Sequence, residues 1–265
     1  MNTPEQSEVD QRIEADIKGE VHYSRKDRRE LLEFDFSEYD AVYREGKDPD
    51  FFGRTLTIGY LIFAIGYLLY GGTFGRIYVS SDEFEKTVEA NCTRFYKIDA
   101  DVHEIFDMVP YWKRVLYLFA ISPLFALILV GAVFGSGSWL LRLLGISTPE
   151  WAVLIALIIV FLLFGLIWAY CYFHIIILET IKNRDEFMAN EVMCTSKNLQ
   201  YEKVLISCGD AHRTGIGSRL EDRCWNVTHH PTKSWLGLLF RFIDWLTWPL
   251  YNPKLTYHRV KSKLV

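Results

Sequence analysis

Two histidines each follow a glycine by three residues, Gly19-x-x-His22 and Gly209-x-x-His212. With 17 glycines and 7 histidines in the chain, chance supplies roughly half of one such spacing. Two copies at opposite ends of the sequence interest us because a sheet can bring distant segments side by side. A carboxylate, Glu45, closes the extended segment Tyr39–Glu45 and can be delivered to the same place. Two neutral imidazoles with one or two carboxylates can hold a divalent metal ion and leave a coordination position open.

The element that must carry the second histidine is short. Val204, Leu205, Ile206 and Cys208 form an apolar run that Gly209 ends, the pattern of a strand buried on both faces of a parallel sheet. Gly209 lets the backbone turn sharply, and His212 falls just beyond the strand's carboxyl end, where open α/β sheets place their ligands. Ile17–Tyr23 reads as a first strand carrying His22. Ser24 is a plausible N-cap for a polar helix over Arg25–Phe34. Ser81 caps a mixed helix running to about Cys92, with Glu83 in its first turn. Phe95–Asp101 is a further strand that brings Asp99 and Asp101 to its end, and Glu179–Lys197 is a polar helix containing Arg184-Asp185. The expected fold is α/β, a mostly parallel sheet flanked by helices.

That sheet is interrupted. Val115–Phe134 and Trp151–Leu178 are long and uncharged, as transmembrane helices are. Lys113, Arg114, Lys182 and Arg184 flank the outer ends of this hairpin, whereas the connecting loop has only Arg142. The positive-inside bias puts the outer ends, and the bulk of the chain, in the cytoplasm. His174 reads as an interfacial histidine near that end of the second span. Leu56–Tyr70 is apolar but short for a bilayer. A shared site for His22 and His212 needs an even number of crossings between them, so this segment should be a helix packed on the sheet or one dipping into the bilayer surface. Residues 235–248 alternate a polar stripe with Trp, Leu, Phe and Ile, suggesting a helix lying in the membrane surface; a core helix is the bland alternative.

The expected organisation is a mobile polar tail over 1–16, a first part of the α/β domain over 17–112 (with 55–72 buried or membrane-dipping), the hairpin over 113–178, the second part of the domain over 179–230, and an amphipathic tail over 231–265. The net charge of −4 argues against nucleic acid as a partner. No basic segment precedes an N-terminal apolar stretch, so no secretory signal peptide is expected. The five cysteines are odd in number and lack C-x-x-C spacing, which suits reduced thiols, with Cys208 a small core residue. Gly131 and Gly135 offer small-residue spacing for a homo-oligomer through the first span.

The order Gly19-x-x-His22, the strand to Glu45, Glu83-Phe84, Ile98-Asp99-Ala-Asp101, Arg184-Asp185-x-x-Met188-Ala189 and Gly209-x-x-His212-x-x-Gly215-Ile216 resembles the TraB/PrgY family, which includes the Tiki membrane metalloproteases. The resemblance covers residues 17–110 and 179–222. Relatives usually carry their membrane helices at the end of the chain, whereas here a hairpin interrupts the domain. They also often show a Val-Glu-Leu type of strand end where this chain has Tyr43-Arg44-Glu45-Gly46. The resemblance implies a membrane-anchored, metal-dependent hydrolase acting on a peptide or protein. His22 and His212 would be ligands of a divalent metal, with Glu45 a ligand or general base. Arg184 would stabilise oxyanion charge, and Asp185 would orient a histidine. Glu83, Asp99 and Asp101 are weaker candidates. The bland alternative makes Arg184-Asp185 a structural ion pair and the acids solvated strand ends. A second class of function is a non-catalytic membrane protein that sequesters a peptide or partner. A transporter is disfavoured, because neither span contains Asp, Glu, Lys or Arg.

Overall fold

Val204, Leu205, Ile206 and Cys208 are wholly buried, as residues of a strand covered on both faces must be. The structure is a computed structural model that describes residues 13–21, 24–46, 57–73, 81–91, 94–143 and 150–233. In chain order its elements are β1 (Glu14–Glu20), α1 (Arg25–Leu32), β2 (Ala41–Glu45), α2 (Ile58–Thr73), α3 (Ser81–Ala90), β3 (Arg94–Ile98), α4 (Val102–Asp107), α5 (Tyr111–Leu116), α6 (Ser122–Leu143), α7 (Glu150–Asn198), β4 (Lys203–Gly209), α8 (Asp210–Glu221) and β5 (Asn226–His230). They form two compact units. The first is drawn from Met1–Lys47, Tyr78–Ala100 and Ile181–Val265, the second from Asp48–Ile77 and Asp101–Thr180.

The first unit holds a five-stranded sheet in the order β3-β2-β4-β1-β5, with every pair parallel. Side chains alternate between its faces. Ala15, Ile17, Ala41, Tyr43, Val204, Ile206 and Cys208 pack on one side with Met188, Val192, Ile216 and Leu220 from α7 and α8. Val42 and Leu205 pack on the other with Leu31, Phe36, Phe84 and Val88 from α1, α3 and the 3-10 turn at Phe36–Glu38. The result is a three-layer α/β arrangement. Ser24 caps α1 through a hydrogen bond from Asp27 N to its Oγ (3.2 Å).

Several boundaries differ from the sequence reading. β1 begins at Glu14, inside the stretch read as a mobile tail, and ends at Glu20 rather than Tyr23. Its pairing runs from Glu14 opposite Lys203 to Glu20 opposite Gly209, and Asp16 is held by Tyr39 Oη and His230 Nε2, both at 2.8 Å. The polar edge strand β5 was not foreseen. Gly209 keeps an ordinary backbone (φ −55°, ψ 140°), so no special turn is needed there.

Two helices are long and apolar enough to cross a membrane, Tyr111–Ala132 in the second unit and Leu154–Asn198, which begins there. The second is continuous from Glu150 to Asn198, so the polar segment after Leu178 extends the apolar helix instead of starting another. Lys113 pairs with Glu179, which also accepts from Tyr117 Oη at 2.8 Å; the start of one apolar stretch and the end of the other therefore meet. The first helix widens to a π-turn at Tyr117–Ile121, which exposes carbonyls to other donors. Ser122 Oγ donates to Tyr117 O (2.5 Å) and Trp168 Nε1 to Leu118 O (3.0 Å).

The helix α2 belongs to the second unit. It packs within the second unit on α4 and on α7 through Tyr60, Phe63, Tyr67 and Tyr70. A Cβ on Gly66 would stand 2.3 Å from Ala169 O, so the missing side chain is what lets α2 and α7 approach. The segment 235–248 and Gly135's side of the first span lie outside the described side chains.

Candidate functional site

Parallel pairing sends all five strands toward one edge, and their carboxyl ends carry acids. Glu45 ends β2, Asp99 follows β3, and Glu20 ends β1 opposite Gly209. The two Gly-x-x-His segments therefore leave neighbouring strands at almost the same level, with Gly19 opposite Cys208. A Cβ on Gly19 would stand 2.3 Å from Asp210 Oδ1, so this glycine makes room for the first turn of α8. His22 itself lies outside the described residues, as does the side chain of Glu83.

His212 stands in the first turn of α8 and is buried. Its Nδ1 lies 2.6 Å from Asp185 Oδ1, and its Nε2 lies 3.4 Å from Glu45 Oε1. Asp185 comes from α7. A Cβ on Gly215, one turn after His212, would fall 1.8 Å from Asp185 Oδ2. Only a glycine at that point of α8 lets the carboxylate reach the imidazole. The imidazole is thus set between two carboxylates, one on each ring nitrogen.

Glu45 is engaged from two other sides. Its Oε2 accepts the backbone N–H of Gly209 at 2.6 Å, at the positive end of α8. Its Oε1 accepts from Arg184 Nη2 at 2.8 Å. The same guanidinium grips Asp99, Nε to Oδ1 at 3.0 Å and Nη2 to Oδ2 at 2.5 Å. Asp185–His212–Glu45–Arg184–Asp99 is thus one connected chain of buried polar groups, drawn from β2, the end of β3, α7 and α8.

Burial pushes the Asp185 carboxyl above its ordinary range, against the opposing pull of His212. Burial also works against the charged form of Arg184, but Asp99 and Glu45 outweigh it and raise that pKa further. The Cys208 thiol is pushed well up, first by burial and then by Glu45, Asp185, Glu20 and Asp210. A thiol so held is inert core, not a nucleophile.

The structure brings together Glu45, Arg184, Asp185 and His212. Arg184 is committed to two carboxylates, which makes it a clamp that positions Glu45. Asp99, ranked low from the sequence, is the clamp's second jaw. Its signal was position, the first residue after a strand that ends at Ile98. Gly215 also went unassigned, although its spacing from His212 stood in the quoted motif. Asp101 falls in the second unit, where it caps α4 in a capping box with Glu104. Asp101, His103 and Glu104 have potential ligand atoms within 4.8 Å of one another, but the box already gives both acids a helix-capping task.

A divalent metal can be tested against the donors present. Nε2 of His212 is the ring nitrogen with the looser contact, 3.4 Å from Glu45 Oε1, and Nδ1 is backed by a carboxylate, as in most metal-binding histidines. Glu45 Oε1 has a second lone pair beside the one Arg184 uses. Two buried carboxylates, Glu45 and Asp99, share one guanidinium, and a divalent cation beside Glu45 would offset the excess of negative charge. The donor chemistry fits. Among the described residues, His212 and Glu45 are two donors of the kinds a catalytic zinc site uses, and such a site takes three from the protein.

No protein-family model matches the chain, and no curated protein or solved structure does so either.

Proposed function

We propose that this chain is a membrane-anchored, metal-dependent hydrolase of the TraB/PrgY kind, peptidase-like in its substrate. The observation that carries the reading is His212, oriented by Asp185 on one nitrogen and facing Glu45 with the other at the carboxyl edge of a parallel sheet. His212 and Glu45 would hold the metal, with His22 as the third ligand. The adjacent levels of Gly19 and Gly209 on paired strands support that third position. When bound, the metal lowers the pKa of a water toward neutrality and polarises a carbonyl. Around it, Arg184 would hold Glu45 in place, and Asp185 would orient the ring of His212.

Two apolar helices of spanning length support membrane anchorage, with lipid as the surrounding partner and the sheet on the cytoplasmic side. Arg184 drops out of the positive-inside comparison because it is buried with acids. Lys113, Arg114 and Lys182 remain against Arg142. β2 and β3 pair directly, and among the described residues only α2 is a long apolar element between them. In this reading α2 does not cross.

The test is cleavage of a mixed peptide library by the detergent-solubilised protein with added zinc, manganese or cobalt, read by mass spectrometry. Metal-dependent new termini that vanish in His212→Ala are expected. Cleavage that survives the substitution, or no cleavage with any metal, overturns the reading. One observation favours a second function, a non-catalytic membrane protein that sequesters a peptide: both oxygens of Glu45 already accept protein N–H groups. It predicts peptide binding without new termini.

A further inference from the structure

Within the second unit α2 has two unlike sides. Tyr60 and Phe63 are fully buried, whereas Ile58, Leu61, Ile65 and Leu68 are 75%, 50%, 38% and 58% exposed. Those four recur at steps of three and four, one stripe of a helix. No charged residue occurs in α2, so water is a poor neighbour for that stripe.

The level at which α2 meets α7 identifies the neighbour. Gly66 meets Ala169 and Phe173. Phe63, Tyr67 and Tyr70 pack on Phe173, Tyr70 also meets His174, and Gly59 meets the Tyr172 hydroxyl. Three turns of α2 thus fall on less than two turns of α7. Contacts gathered at one level of α7 are what a steep crossing gives, since helices packed nearly parallel spread their contacts along both. The crossing lies between Ala169 and His174, inside the uncharged stretch that ends at Leu178. Measured along α7, this is roughly 7–15 Å before Glu179 at 1.5 Å per residue. Glu179 marks the polar boundary through Lys113 and Tyr117, and Tyr111 and Trp112, 76% and 63% exposed, stand beside it as interfacial aromatics do.

We infer that α2 is an in-plane membrane helix: it lies across the cytoplasmic leaflet with Ile58, Leu61, Ile65 and Leu68 sunk among lipid acyl chains. Whatever surrounds this part of α7 surrounds α2, and the exposed apolar residues of α7 from Leu154 to Leu166, in the same uncharged stretch, belong to a span. Sixteen residues reach about 24 Å, short of the roughly 30 Å of hydrocarbon. Tyr67 and Tyr70, both half-buried, suit the boundary region. The inference rests on α6 and α7 crossing the bilayer, as proposed above, and not on hydrolytic activity.

The test uses nitroxide labels on the full chain in phosphatidylcholine–phosphatidylglycerol nanodiscs. Cysteines are placed one at a time at Ile58, Leu61, Ile65 and Leu68 in a variant whose native cysteines are alanine and whose circular dichroism matches the wild type. Ile159→Cys, on the exposed face of α7, is the deep reference, and Glu202→Cys the aqueous one. Collision with oxygen against a water-soluble nickel chelate reads depth. All four α2 labels are expected at one shallow depth, about 5–10 Å below the headgroups, with oxygen favoured over nickel. A depth that changes steadily from 58 to 68 would show a crossing helix. Low collision with both agents would show a protein partner, such as a second copy, on the stripe. Nickel-favoured labels on α2 would show water. Each of these overturns the inference, and a water-exposed Ile159 label removes its premise.

Discussion

Arg184 is a buried cation held between two carboxylates, Glu45 and Asp99. Removing its charge leaves Glu45 and Asp99 buried without a counter-ion, which costs about 3–5 kcal/mol in comparable sites. Arg184→Met should therefore lower the unfolding midpoint in detergent sharply. The triple variant Arg184→Met, Glu45→Gln, Asp99→Asn should recover most of the loss, because no uncompensated charge remains. Asp185 behaves differently. Its folded pKa lies above the unfolded value near 3.8, so the stability tied to its protonated form is full below about pH 4 and is lost as pH rises through the folded value. In unfolding series across pH, the gap in stability between wild type and Asp185→Asn should fall over that rise. A gap that widens with pH would mean that ionised Asp185 is the stabilising form.

At the scale of elements, glycines set the approaches. Gly66→Ala puts a Cβ against Ala169 O and should cost about 1–3 kcal/mol, as overpacking does. Gly165→Ala in the same unit meets open space within 4 Å and should stay within about 1 kcal/mol. Equal midpoints for the two variants, measured by thermal unfolding in one detergent, would deny the close packing of α2 on α7. Elements also show how much could be read from sequence. β4 was legible because four buried apolar residues end at a glycine, and α1 because Ser24 and the polar run behind it are strong local signals. β5 was not, because an edge strand buried on few sides keeps a polar sequence, Asn-Val-Thr-His-His, with one apolar residue. The continuity of α7 was hidden by composition: its polarity changes at Glu179, yet no proline or glycine breaks the backbone there. In the site, Glu45, Asp185 and His212 could be picked out by type and strand-end position. The clamp on Asp99 could not, because it depends on tertiary reach from α7.

The whole molecule is a sheet assembled from three separated stretches of chain, with apolar helices inserted between them. β1, β2, β3, β4 and β5 hydrogen-bond as one sheet, so in the proposed membrane arrangement the chain returns to the same side after every excursion. Protease-accessible tags at residue 1 and residue 265 should be cleaved from the same face of sealed vesicles. Tags cleaved from opposite faces would break the even count of crossings. The central claim reaches across the same assembly, since β1, which precedes His22 in the sequence, pairs with β4, which precedes His212. It is tested most directly by metal analysis of the detergent-purified protein beside its His22→Ala, His212→Ala variant. The account predicts near one divalent ion per chain in the wild type and loss of it in the variant; a variant that retains the metal, or a wild type that never takes one up from zinc, manganese or cobalt, contradicts it.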